Sequence, residues 1–182
     1  KIPKIYKKDV IVTTDDEVII EQLSSSECKT LKRQKALSED ITSTRDVLQD
    51  AIDKYNISED EQIIMLYLTY PERTWKDIEQ ALEFYSKTKA RSLLCCSDVK
   101  VNPFLCMLKK DNYKGAQIIE HNLYRRQDYP ECFEISHFIS IFQSDELKKL
   151  NKNLYNKDTV FYKIKSPVDV DTPKDIKKFY GK

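Results

Sequence analysis

Hydrophobic positions along this chain come as short continuous runs separated by stretches of helical spacing. In KKDVIVTTDDEVIIEQL, residues 9–13 predict a strand that breaks at Thr14-Asp15 into a helix, and SECKTLKR predicts a second short strand. Ser43 stands three residues before Asp46, a cap signal for a helix with Val47, Leu48, Ala51 and Ile52 on its apolar side. Residues 63–68 form an unbroken apolar run of buried-strand length. Thr74 and Asp77 then make a capping box ahead of Ile78, Ala81, Leu82 and Tyr85 at helical spacing. ARSLLCCSDV is again an apolar strand. Strands alternating with helices predict an α/β fold of right-handed βαβ units: a Rossmann-like, mostly parallel sheet flanked by helices.

The middle of the chain changes character. FLCMLKKDNYKGAQII predicts a hairpin, with Asp111-Asn112 and Gly115 as turn residues, and ECFEISHFISIF alternates as a further strand. This reads as an antiparallel hairpin insertion, residues 104–129, of the kind that serves a dimer interface or a lid. SDELKKLNKNLYNKD predicts a helix and TVFYKIK a return to the sheet. Thr172, Pro173 and Asp175 then supply the cap, first turn and capping-box residue of a last helix. With no internal repeat and no low-complexity linker, residues 1–182 read as a single domain.

Composition excludes several classes. The 31 Lys and Arg balance 30 Asp and Glu at a net charge of +1, so there is no basic field for nucleic acid. No apolar run is long enough for a bilayer and no signal peptide is evident, which predicts no membrane partner and a cytoplasmic location. Five cysteines without C-x-x-C spacing fit buried reduced thiols, and two isolated histidines do not suggest a histidine metal site or triad. With two glycines in all, no glycine-rich phosphate loop of either common type is present.

Candidate chemistry enters at Asp169 and Asp171, one residue apart in KSPVDVDTPKD. At the end of an extended strand, side chains at i and i+2 share a face, roughly 7 Å apart. Two carboxylates so placed repel each other unless a cation joins them, and Mg²⁺ takes one or two carboxylates with water and phosphate oxygens completing its shell. Two solvated turn acids are the alternative reading of so short a motif.

Five phrases in order resemble the acylneuraminate cytidylyltransferase family, which joins CMP from CTP to acidic sugars. VIVTTDDEVI is similar to its strand ending in a Ser-Thr-Asp turn, and KRQKALSEDITST to its arginine-proline, aspartate and serine segment. YLTYPERTWKDI is similar to its Gln-Pro-Thr-Ser-Pro-Leu-Arg-Thr loop, RRQDYP to its Arg-Gln-x-x-Pro element, and PVDVDTPKD to its terminal Asp-x-Asp. The resemblance implies a nucleotide-diphospho-sugar transferase-like fold and CTP as substrate. It also implies Mg²⁺ on Asp169 and Asp171 as metal and catalytic residues. Asp15, Arg33, Asp40 and Thr44 carry over to the nucleotide side, where Arg33 and Thr44 stand near cytosine. Tyr67, Thr69, Arg126, Gln127, Ser136 and His137 carry over to the side of a small anionic acceptor. The expected assembly is a homodimer exchanging the 104–129 insertion.

Three departures qualify what the resemblance implies. Nothing before Asp9 supplies the family's amino-terminal strand and phosphate-gripping loop. Its Gln-Pro-Thr-Ser reads Tyr67-Leu68-Thr69-Tyr70 here, and its Asn-Gly reads Ser136-His137. Bulkier side chains with fewer amides suit a smaller acceptor, including a phosphorylated metabolite, over a standard sialic acid. A glycosyltransferase using the Asp-x-Asp motif and a non-catalytic nucleotide-binding relative remain the alternatives.

Overall fold

The computed structural model describes residues 3–39 and 41–181. A 3₁₀ turn over Lys4–Asp9 leads into β1 (Ile11–Thr14), slightly later than the pattern predicts. The Asp16 carboxylate accepts from the Val18 amide at 2.8 Å and so starts α1 (Glu17–Leu23). β2 (Lys29–Lys32) pairs parallel with β1, giving this first βαβ unit a two-stranded sheet of its own. Ser43 caps α2 (Thr44–Tyr55) by accepting the Asp46 amide at 3.3 Å, and the helix stops at Asn56 in the left-handed region. The Tyr55 hydroxyl donates to the Thr30 carbonyl at 3.2 Å, which ties α2 to the first unit.

β3 (Gln62–Met65) and α3 (Trp75–Ser86) follow, then β4 (Ser92–Asp98), the short hairpin of β5 (Met107–Lys109) and β6 (Gly115–Gln117), β7 (Phe133–Gln143), β8 (Val160–Lys163) and α4 (Pro173–Tyr180). The main sheet has the order β3-β7-β4-β8. β4 and β8 are parallel, and β7 runs antiparallel to both β3 and β4. β3, β4 and β8 share one direction, but two of the three pairings are antiparallel, so the sheet is mixed where a mostly parallel one was expected. The alternating strand expected after the 104–129 insertion is the sheet's second member.

Alternation along β7 explains the two-faced core. Ile139 and Ile141 pack with Ile78, Ala81 and Tyr85 of α3, together with Leu93 and Cys95. Phe142 points the other way, to Ile52 of α2, Leu147, Leu150 and Leu154. Each fully buried Leu or Ile there contributes roughly 1.5–3 kcal/mol. Cys95 and Cys96 are buried free thiols, and burial pushes Cys95 up to about 12.

Several sequence expectations change. The 63–68 run leaves the sheet after Met65, whose partner is Ser140. Beyond it β7 carries a bulge: Leu94 faces Ser140 but Cys95 faces Ser136, so residues 137–139 are extra and β3 has no regular ladder to follow. The helix expected at SDELKKLNKNLYNKD is only a 3₁₀ turn, Ser144–Lys149. There the Asn151 side chain accepts the Asn153 amide at 2.8 Å, a local bond that competes with helix. Gly115 is not the turn residue. Asn112 and Tyr113 take the left-handed conformation, while a Cβ on Gly115 would meet Met107 Cε at 3.3 Å. Among the described residues no helix is long and apolar enough to cross a membrane.

Candidate active site

In open α/β sheets, ligands bind outside the carboxyl ends of the parallel strands. The segment after β3, residues 66–74, lies at that end, and so does the chain after β8. The Val170 amide donates to the Thr69 carbonyl at 2.8 Å, and the Val168 amide to Glu72 Oε1 at 2.7 Å. These bonds hold the Asp169–Asp171 stretch against the loop. It is an irregular tether instead of the strand end that the pattern suggests.

Arg73 fixes the loop from below. Its Nη1 donates to the Phe138 carbonyl at 2.6 Å and its Nη2 to the Tyr67 carbonyl at 2.7 Å, with the guanidinium 5.7 Å from the Phe138 ring centre. Burial lowers its pKa below the ordinary arginine value. Tyr70 is buried beside it, edge-on to Phe138. The Tyr70 phenol is pushed up to about 12, chiefly by burial; Ser136 pulls it down, and the Asp169 and then Asp171 carboxylates contribute to the rise. Both aspartates thus act electrostatically on one neutral phenol.

The bulge on β7 brings His137 into the same place. Its ring lies 5.4 Å from that of Tyr67, and its Nδ1 is buried with no hydrogen-bond partner among the described residues. Burial lowers its pKa, against a smaller upward pull from Asp169, so the ring is neutral at pH 7. The Tyr67 hydroxyl in turn hydrogen-bonds the hydroxyl of Thr44, the first residue of α2. Thr44, Tyr67 and His137 are thus in contact, and the Thr69 carbonyl holds the backbone between Asp169 and Asp171, so these residues and Ser136, next to His137, form one group at this end of the sheet.

Other expected site residues stand apart from it. Arg33 turns back on the end of β1, donating to the Thr13 carbonyl at 2.9 Å. Asp15 is exposed in the turn between β1 and α1, next to the capping Asp16. Arg126 and Gln127 are exposed on a 3₁₀ turn of the insertion and make no hydrogen bond to the Asp169 group among the described residues. Asp40 lies outside the described residues. Sequence reasoning passed over Glu72 and Arg73. The available signal was a charged pair between Pro71 and the Thr74 cap, directly after a buried run.

Asp169 and Asp171 are exposed. Among the described residues no three His, Cys, Asp or Glu side chains gather as a closed metal cage. Two hard carboxylates near one phenol, open to solvent, nonetheless fit Mg²⁺, which leaves most of its shell to water and phosphate. A cleft of about 770 Å³ opens at the amino-terminal ends of β4 and β8, lined by Arg91, Glu146, Lys149 and Lys157 among others. Its buried charge is satisfied within it: Glu146 accepts from Arg91 at 3.3 Å and Lys149 at 3.0 Å. The chemistry-bearing residues lie at the opposite end.

No family model matches the chain. Over 172 residues it is 27% identical to N-acylneuraminate cytidylyltransferase of Streptococcus agalactiae serotype V, covering 93% of this chain and 41% of that protein. The chain is similar to cytidylyltransferases of acidic sugars. It is 25% identical over 182 residues to post-translational flagellin modification protein B of Campylobacter coli, covering 97% of this chain and 77% of the relative. CMP-N,N'-diacetyllegionaminic acid synthase of Campylobacter jejuni is 27% identical over 180 residues, with 96% and 76% covered. These matches bear out the resemblance read from the five phrases. The fold is also that of solved nucleotidyltransferases. CMP:2-keto-3-deoxy-manno-octonic acid synthetase complexed with CTP superposes with a TM-score of 0.62 at 15% identity, over 98% of this chain and 85% of the other. 4-Diphosphocytidyl-2C-methyl-D-erythritol synthase from Anaerococcus prevotii does so at 0.56 and 9%, over 95% and 80%.

Proposed function

We propose that this chain carries a CTP-dependent cytidylyltransferase, which transfers CMP to a small anionic acceptor in the cytoplasm and releases pyrophosphate, for surface-glycan or capsule precursors. The observation that carries this reading is the convergence of Tyr67, Thr69, Ser136 and His137 with Asp169 and Asp171 in a chain similar to such enzymes. In the reaction an acceptor oxygen bonds to the α-phosphorus of CTP. The bond from that phosphorus to the bridging oxygen breaks, and pyrophosphate leaves with the electron pair. Asp169 and Asp171 would hold Mg²⁺, which supplies charge neutralisation at the phosphates and a template for the two substrates. The acceptor's proton passes to an aspartate or to water. His137, neutral and facing Tyr67, lines the acceptor side, and Tyr67 links that side to Thr44 on the nucleotide side.

CTP is expected to be used about tenfold or more in preference to UTP, ATP or GTP. Swapping an exocyclic donor for an acceptor leaves a polar group of the pocket unpaired. Pyrophosphate release with each nucleotide and a panel of acidic sugars and phosphorylated metabolites measures this, and equal rates with CTP and UTP reject the assignment. A phosphorylated small metabolite as acceptor is the second reading, favoured by the aromatic crowding of Tyr67, Tyr70 and His137.

The working form is a homodimer built through residues 104–129, with Arg126 reaching the partner's acceptor side. Exposed Leu105, Met107, Leu108, Tyr113 and Ile118 support this, an apolar group that water disfavours. Inside the insertion, His121 Nε2 lies 2.8 Å from the Phe104 carbonyl and its ring meets Tyr129 edge-on, so the segment is internally braced. Sedimentation at micromolar concentration is expected to show two copies, and a monomer there rejects the dimer.

A further inference from the structure

The loop after β3 and the tether after β8 are joined by more than proximity. The amides of residues 168 and 170 flank Asp169 in this tether. Both amides are taken by the loop: Val168 N–H donates to Glu72 Oε1 at 2.7 Å and Val170 N–H to the Thr69 carbonyl at 2.8 Å. Tyr70, between Thr69 and Glu72 in sequence, is buried and packs edge-on against Phe138 of β7. The loop is anchored in turn by the two Arg73 bonds to the Phe138 and Tyr67 carbonyls. Rigid β7 is thus connected through the loop to the backbone on each side of Asp169.

We propose that Glu72 is a positioning residue that holds Asp169 and Asp171 in the geometry of a divalent-cation site. Glu72 fixes the backbone before the pair through its bond to the Val168 amide. Glu72 stands where the family loop quoted above has leucine, so the device belongs to this chain's own residues. The inference rests on reading Asp169 and Asp171 as the cation-holding pair.

The test is titration of the protein with Mn²⁺ alone, followed by the electron paramagnetic resonance signal of the free ion, alongside amide hydrogen exchange at residues 168–170. Glu72→Ala is expected to speed exchange at Val168 and to weaken Mn²⁺ binding about tenfold, the usual scale for a residue that orients a ligand. Glu72→Gln keeps an acceptor oxygen and should restore both. Glu72 is exposed, so its variants are expected to fold like the parent. If Asp169→Asn weakens Mn²⁺ binding while Glu72→Ala leaves it within about twofold, the positioning role is overturned and the cation site stands. If Asp169→Asn itself leaves Mn²⁺ binding unchanged, the cation-site reading falls and the positioning role with it.

Discussion

Asp169→Asn and Asp171→Asn are each expected to lower turnover about a hundredfold or more while leaving the melting curve almost in place. The aspartates are exposed, carry no core packing and repel one another, so a neutral amide relieves charge without opening a cavity. What the amide removes is a hard anionic donor. A hundredfold loss corresponds to about 2.7 kcal/mol of transition-state stabilisation, within the range ascribed to charge stabilisation by a metal ion. Were the two merely solvated acids, the same substitutions would leave the rate near that of the parent and move stability by less than about 0.5 kcal/mol. Measuring kcat across a Mg²⁺ titration, with a melting curve for each variant, separates these outcomes. Parent-like kinetics at limiting Mg²⁺ would defeat the assignment.

The second large effect is on stability. Arg73→Met is expected to destabilise the fold by about 2–4 kcal/mol, because it keeps the aliphatic stem but leaves the Phe138 and Tyr67 carbonyls without their charge-assisted donors. It also removes the cation from the Phe138 ring face. Arg73→Lys should fall between the two, since an ammonium cannot span both carbonyls as the planar fork does. Turnover should drop in both variants, because the loop that carries Thr69 and Glu72 loses its anchor to β7. Chemical denaturation is the direct measurement. A change of less than about 0.5 kcal/mol for Arg73→Met would mean that the loop is held by other contacts.

Sequence alone determined what is local. Side-chain-to-backbone capping spans three residues, so Ser43 with Asp46, Thr74 with Asp77, and Thr172 with Asp175 mark the starts of α2, α3 and α4 wherever those helices pack. The apolar runs of β4 and β8, the parallel β1–β2 pair and the hairpin of β5 and β6 were legible for the same reason. Most of the candidate site was legible too, through short phrases resembling a known family. Only the tertiary structure decided where the reversed strand goes. Whether β7 belongs to an insertion or between β3 and β4 depends on pairings such as Ile64 with Ile141 and Leu93 with Ile141, which no local window contains. The bulge at residues 137–139 follows from those registers, and it ends β3 early and turns His137 toward Tyr67. The tie from Glu72 to Val168 spans 96 residues, and the reach of Arg73 to the Phe138 carbonyl spans 65. Such contacts exist only once the sheet has brought distant segments to one edge, which is why the anchor and the clamp of the site were silent in the sequence.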